Sequence, residues 1–234
     1  MQLLSLLLDH KSLTITRAAQ ELQVAPSTAH RLLVTMAARG FVTQGPGKRY
    51  QLGPQLARKT TKRSAIASLT QRMRDPLAHI HAQCGETVHL MVLTGSHTQF
   101  VYGMEGDQTL RIGLRIGGRI PAHCTSGGKA MLAAMTTASL RSLYADGLPA
   151  WPTATHTSLE GLLLELAHIR ERGYALNRDE SEQGVSAIAV TVPALAKEPA
   201  SAIAIALPSL RLADHAHEQL AEILLAAQAA LLAE

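Results

Sequence analysis

The sequence predicts an α+β chain of two unequal domains joined by a helix. Three observations lead there. Helical periodicity over residues 1–39 comes in short capped segments and closes on a Gly-Pro-Gly hairpin. Beyond residue 85, strand-like alternation is interleaved with amphipathic helices, which fits an antiparallel sheet flanked by helices better than a doubly wound one. At 234 residues, 47% hydrophobic and 17% charged, the chain can fill two cores; with aromatics at 3%, those cores must be Leu, Ala, Ile and Val.

Met1 to His10 reads as a helix with Leu3, Leu4, Leu7 and Leu8 on one face. Thr14 can cap a second helix through Leu22, whose buried stripe is Ile15, Ala18, Ala19 and Leu22. Gln23-Val24-Ala25 turns the chain, and Pro26 opens a third helix that ends at Gly40, since its missing N–H costs nothing in a first turn. Ala29, Leu32, Leu33 and Met36 share that helix's apolar side. Phe41–Gln44 and Arg49–Leu52 alternate as strands around Gly45-Pro46-Gly47-Lys48. Three helices and a hairpin in this order describe a winged helix-turn-helix domain over residues 1–53.

Residues 54–84 read as a linker: a polar, basic connection from Pro54 to Arg63, then a long helix from Ser64 to Cys84 interrupted at Asp75-Pro76. Residues 85–234 form the second domain. Strands are expected at Thr87–Thr94, Thr98–Met104, Thr109–Ile116, Tyr174–Asn177, Ala187–Val192 and Ala202–Leu207. Helices are expected at Ser126–Met135, Leu159–Arg172 and Leu212–Ala233.

Charge separates the two parts. Residues 1–63 carry ten Lys/Arg against Asp9 and Glu21, whereas the remainder is net acidic. A basic head on an acidic body is the footprint of a polyanion binder with a second task. Ser27, Thr28, His30, Arg31 and Thr35 lie off the apolar side of the third helix, short and polar as a major-groove reader must be. Lys48 and Arg49 at the wing are expected to hold phosphates of double-stranded operator DNA. Arg58, Lys59, Lys62 and Arg63 fit phosphate contacts or a solvated linker equally well.

No apolar run approaches the ~20 residues of a membrane span, and the N-terminus lacks the basic start and cleavage site of a signal peptide. Cys84 and Cys124 have no framework spacing and are read as free thiols in a reducing cytoplasm.

The stretch from Leu22 to Leu33 (LQVAPSTAHRLL), with Arg39-Gly40-Phe41-Val42 and Tyr50-Gln51-Leu52-Gly53, closely resembles the head of the IclR family of bacterial regulators. Gly85 to Leu90, Gly117 to Ala130 and Ile169 to Ala175 resemble that family's effector domain. The resemblance implies a GAF-like effector domain, a homodimer made through the heads and often paired into a dimer of dimers, and control of a catabolic operon. It implies a small organic acid as effector and no cofactor. Relatives that bind small oxo acids place an acidic side chain, a cysteine and two serines in the pocket; the matching positions here are Asn177, Ala187, Ala204 and Ala206. Thr109, Ile112, Ser126 and Gly127 match the other pocket positions. Three methyls and a neutral amide dry the cavity, which favours an aromatic acid over a small hydrated one.

Other motifs weigh less. Ser126-Gly127-Gly128-Lys129 lacks the P-loop's longer glycine-to-lysine spacing and has Ala130 where that loop needs Ser or Thr, so nucleotide binding is rejected. A helix start of small residues leaves N–H groups for a ligand carboxylate, or is a simple cap with close packing. His81, His89, His123 and His156 show no metal-ligand spacing. Asp179-Glu180-Ser181-Glu182 reads as a solvated acidic loop. An enzyme acting on an organic acid through the second domain is the alternative, disfavoured because no nucleophile–base pair or metal set is visible.

Overall fold

The computed structural model describes residues 2–10, 12–154, 156–196, 198–212 and 216–233. The chain divides into two compact units, Met1–Ala65 and Ile66–Glu234.

The first unit runs α1 (Gln2–His10), β1 (Ser12–Leu13), α2 (Ile15–Leu22), α3 (Pro26–Ala38), β2 (Val42–Gly45) and β3 (Arg49–Leu52), with its three strands in the order β1-β3-β2. Local chemistry sets the boundaries. Thr14 caps α2 by accepting from the Arg17 N–H, Gln23 closes it in the left-handed region at φ 52°, and Pro26 occupies the first turn of α3. Gly47 and Lys48 turn the wing with φ of 69° and 55°. Leu7, Leu13, Ala18, Ala29, Leu33 and Val42 make the core. Leu32 does not join them as the periodicity suggested: at 43% exposed it faces outward. Residues 54–63 are not an irregular connection either, since α4 runs unbroken from Pro54 to Arg72. Straight-chain Gln, Arg and Lys favour helix without any apolar stripe, and Pro54 sits where the helix begins. The side chains of Arg58 and Lys59 lie outside the described residues.

The second unit adds α5 (Arg74–Cys84), β4 (Thr87–Thr94), β5 (His97–Met104), β6 (Arg119–Pro121), α6 (Ser126–Ala133), α7 (Thr137–Leu143), α8 (Leu159–Arg172), β7 (Ala175–Arg178), β8 (Val185–Val192), β9 (Ser201–Pro208) and α9 (Ala216–Ala233). The break between α4 and α5 falls at Met73, because Pro76 lies in the first turn of α5, where no N–H is missed. The start expected at Leu212 for the last helix runs through residues 213–215, outside the described set.

The strands form one antiparallel sheet in the order β6-β5-β4-β9-β8-β7. Alternation divides its faces. Val88, Leu90, Ile188, Val190, Ile203 and Ile205 meet α5 and α9, while Ala189 and Ala204 point to the opposite core with α6 and α8. Burying each large aliphatic contributes about 1.5–3 kcal/mol, so the first face carries the weight. The alanine face lets α6 come close: a Cβ on Gly128 would stand 2.1 Å from the Ala122 carbonyl oxygen, which only glycine permits.

Thr109–Ile116, expected as a strand, is irregular. Side chains fix this loop where a ladder would otherwise do so. The Thr87 hydroxyl donates to the Ile112 carbonyl at 2.5 Å and accepts from the Gly106 N–H at 2.9 Å, and Arg211 donates to the Leu110 carbonyl at 2.6 Å. The sequence reading also lacked β1, β6 and α7, which are two, three and seven residues long.

Candidate functional site

On the first unit, Ser27, His30, Arg31 and Thr35 of α3 are exposed and Thr28 is half-buried. The Thr35 hydroxyl donates to the Arg31 carbonyl at 2.8 Å and so is partly engaged within its own helix. Lys48 and Arg49 are exposed at the wing, but Arg49 Nε donates to Ser12 Oγ at 3.0 Å and is thereby tied to β1. An apolar groove lined by Leu3, Leu4, Leu22, Leu32, Met36 and Phe41 opens on this unit.

The second unit holds a cavity with about 370 Å³ of unfilled space, its mouth included. The sheet supplies its floor in two cross-strand rows: Asn177, Ala187 and Ala206 on β7, β8 and β9, and Ala204 beside His89 on β9 and β4. Met91, Phe100, Ile120 and Val185 add apolar wall; Ile112, Arg115, Ser126 and Ser181 close it from the loops and the start of α6.

Six of the eight expected effector residues therefore line one cavity: Ile112, Ser126, Asn177, Ala187, Ala204 and Ala206. Thr109 does not, being exposed on the irregular loop. Nor does Gly127. A Cβ there would meet Met91 Cε at 2.2 Å, so its smallness accommodates Met91. The third helical N–H, that of Gly128, is taken by the Thr125 hydroxyl at 3.0 Å. Asn177 lines the space with its amide already used, Nδ2 donating to the Cys124 carbonyl at 2.6 Å and Oδ1 accepting from the Glu180 N–H at 3.3 Å.

The acidic loop is not a solvated run. Glu180 is buried, and both its carboxylate oxygens accept from Lys129 Nζ at 2.7 Å; the same ammonium donates to Glu165 at 2.7 Å, and Glu165 is bonded in turn to His156. Lys129 is 0% exposed. Burial raises the Glu165 pKa, but the Lys129 charge and the bonds from Lys129 and His156 outweigh it and hold the carboxyl below its ordinary range. His156, Glu165 and Glu180 bring their ligand atoms together as a metal set would, yet the Lys129 ammonium is the cation they surround. Asp179 accepts from the Gly184 N–H and from Ser209, and Glu182 pairs with Arg115.

His89 is buried with Nε2 lacking a hydrogen-bond partner, its ring edge-on to Phe100 at 5.1 Å. Burial, with a smaller push from Arg115, lowers its pKa to about 4, so the ring is neutral. The sequence reading missed His89, Met91, Phe100, Arg115, Ile120, Thr125, Ser181 and Val185 as lining residues. For Lys129 a signal existed: a lysine set between Gly128 and Ala130-Met131-Leu132 has no acidic partner on its own helix and, if buried, must find a distant one.

Comparison with known proteins agrees with both units. The family model for the IclR helix-turn-helix domain matches residues 1–46, and that for the bacterial transcriptional regulator IclR C-terminal region matches residues 61–232. The chain is 33% identical over 216 residues to the HTH-type transcriptional regulator BhcR of Paracoccus denitrificans, covering 92% of this chain and 77% of that protein. The IclR crystal structure from Thermotoga maritima superposes with a TM-score of 0.65 at 24% identity, covering 98% and 94% of the two chains. An IclR homologue of Microbacterium hydrocarbonoxydans, crystallised with 4-hydroxybenzoate, gives a TM-score of 0.61 at 21% identity over 99% and 98%.

Proposed function

Since the chain belongs to the IclR family and is a DNA-binding transcription regulator, we propose that it works in the cytoplasm as the switch of a catabolic operon, with an aromatic acid bound in the second-unit cavity as its signal. The observation that carries this reading is the composition of the cavity. Met91, Phe100, Ile120, Ala187, Ala204 and Ala206 line it together, so an apolar body is what its walls can reward. An aromatic ring gains from contact with these groups, whereas glyoxylate or pyruvate finds few hydrogen bonds to replace its water. The structurally similar homologue that holds 4-hydroxybenzoate supports the same ligand class.

In the head, α3 enters the major groove, with Ser27, Thr28, His30, Arg31 and Thr35 toward the bases and Lys48 and Arg49 on phosphate. The groove through Leu32, Met36 and Phe41 is the face by which two heads pair; sedimentation should give a dimer that Leu32→Glu converts to monomer.

Calorimetry tests the ligand reading. Benzoate should bind tighter than pyruvate, and Ala204→Ser with Ala206→Ser should narrow the gap, since each hydroxyl left dry against a ring costs about 1–3 kcal/mol. A wild type that prefers pyruvate contradicts it.

A further inference from the structure

We propose that Arg115 is the anion anchor of the cavity, and that Glu182 is its resident counter-ion, exchanged for the carboxylate of the incoming acid. The inference rests on the reading of the cavity as an acid site and specifies what holds the charged end.

Arg115 supplies the positive charge among the cavity's lining residues; His89, the other basic side chain there, is buried and neutral. Other polar groups nearby are engaged: Thr125 takes the Gly128 N–H, and both ends of the Asn177 amide are bonded within the protein. Lys129, the cation buried nearby, is saturated by Glu165 and Glu180.

The Arg115–Glu182 pair differs from these. The Arg115 side chain is 29% exposed and that of Glu182 56%, so the pair stands at the rim, in reach of water. A pair so exposed contributes about 0–1 kcal/mol, so its exchange costs little. A guanidinium offers five donors in a fork suited to a carboxylate, and a single side-chain bond of Arg115 is formed among the described residues. Arg72 and Arg211 each hold a carboxylate by two bonds and a carbonyl besides. Those two arginines are fasteners; Arg115 is left exchangeable.

The exchange has a built-in reporter. Trp151, the single tryptophan, donates its Nε1–H to the Ser181 carbonyl at 2.8 Å, one residue before Glu182. When Glu182 leaves Arg115, the turn that carries both residues is freed on that side, and the indole senses it.

The test is calorimetry with Trp151 fluorescence on the full chain, using benzoate and its uncharged isostere benzamide as probes. Wild type should bind benzoate at least tenfold tighter than benzamide, with a shift of tryptophan emission on benzoate alone. Arg115→Gln should lose at least tenfold in benzoate affinity while holding benzamide within about twofold, which also shows the variant folded. Glu182→Gln should bind benzoate severalfold tighter, because the competitor is gone. Arg115→Gln that binds benzoate as wild type does overturns the anchor and leaves the acid site standing. A wild type that binds neither probe overturns both.

Discussion

The head and the effector unit bury different kinds of side chain. Among the described residues, the head's core is Leu, Ala and Val with one Tyr, and its polar groups stand outside on α3 and the wing. The effector unit instead buries Glu86, His89, His123, Lys129, Asn177 and Glu180. A surface that reads DNA needs only a rigid support, so any well-packed apolar core serves it. A unit that reads a small molecule must hold polar groups inside, and each buried one needs a partner or a reason to lack one.

The largest expected effect tests that contrast at its most loaded point. Lys129→Met leaves Glu165 and Glu180 in the interior without their cation, which should cost about 3–5 kcal/mol in urea unfolding followed by Trp151 emission. A loss under 1 kcal/mol would mean water already reaches the cluster. In the head, Leu33→Ala should cost about 2–5 kcal/mol by plain cavity formation and should lower DNA binding with it. The Trp151 transition should stay in place; movement by the same amount would show that the two cores are energetically one.

Acid sharpens the comparison next. His123 is buried with both ring nitrogens unpartnered, and burial, aided by the charges of His156, Lys129 and His97, lowers its pKa from 6.5 to about 4. The unfolded chain therefore takes up a proton that the folded one refuses. Stability is full above pH 6.5 and falls as pH drops toward about 4. Glu165 acts in a lower window: its folded pKa is depressed, so its contribution is present above about 4.5 and lost below. His123→Phe should remove about 1–3 kcal/mol of the loss between pH 6.5 and 4 and leave the lower limb unchanged. An unaltered slope would place the linkage on another group.

The smallest effect belongs to the head's surface: Thr14→Ala removes the α2 cap and should cost about 1 kcal/mol with no change at Trp151. A loss of 3 kcal/mol or more would mean that Thr14 does more than cap.

The same contrast explains what the sequence disclosed. Thr14, Pro26 and Gly47 announce the head because caps, first-turn prolines and left-handed turns are local chemistry. Leu32 was misread because periodicity reports an apolar face without saying whether the protein's own core or a partner covers it. In the effector unit, Ala187, Ala204 and Ala206 were found through family resemblance, whereas Arg115 was not, since its partner Glu182 lies 67 residues away and nothing in Leu114-Arg115-Ile116 marks it. The 109–116 stretch alternates as a strand should, yet long-range bonds from Thr87 and Arg211 decide its path. Glu180 and Glu182 sit in one acidic run, and only the fold separates a buried carboxylate from a rim one.

If an acid bound in the second unit is the signal, it must alter how the first unit holds DNA. Fluorescence anisotropy of the full chain on an operator duplex selected from random sequence by binding, at fixed salt with and without 4-hydroxybenzoate, measures that coupling directly. The acid should change operator affinity by about 5- to 150-fold and leave random duplex unaffected. An acid that binds by calorimetry yet leaves operator affinity unchanged would contradict it.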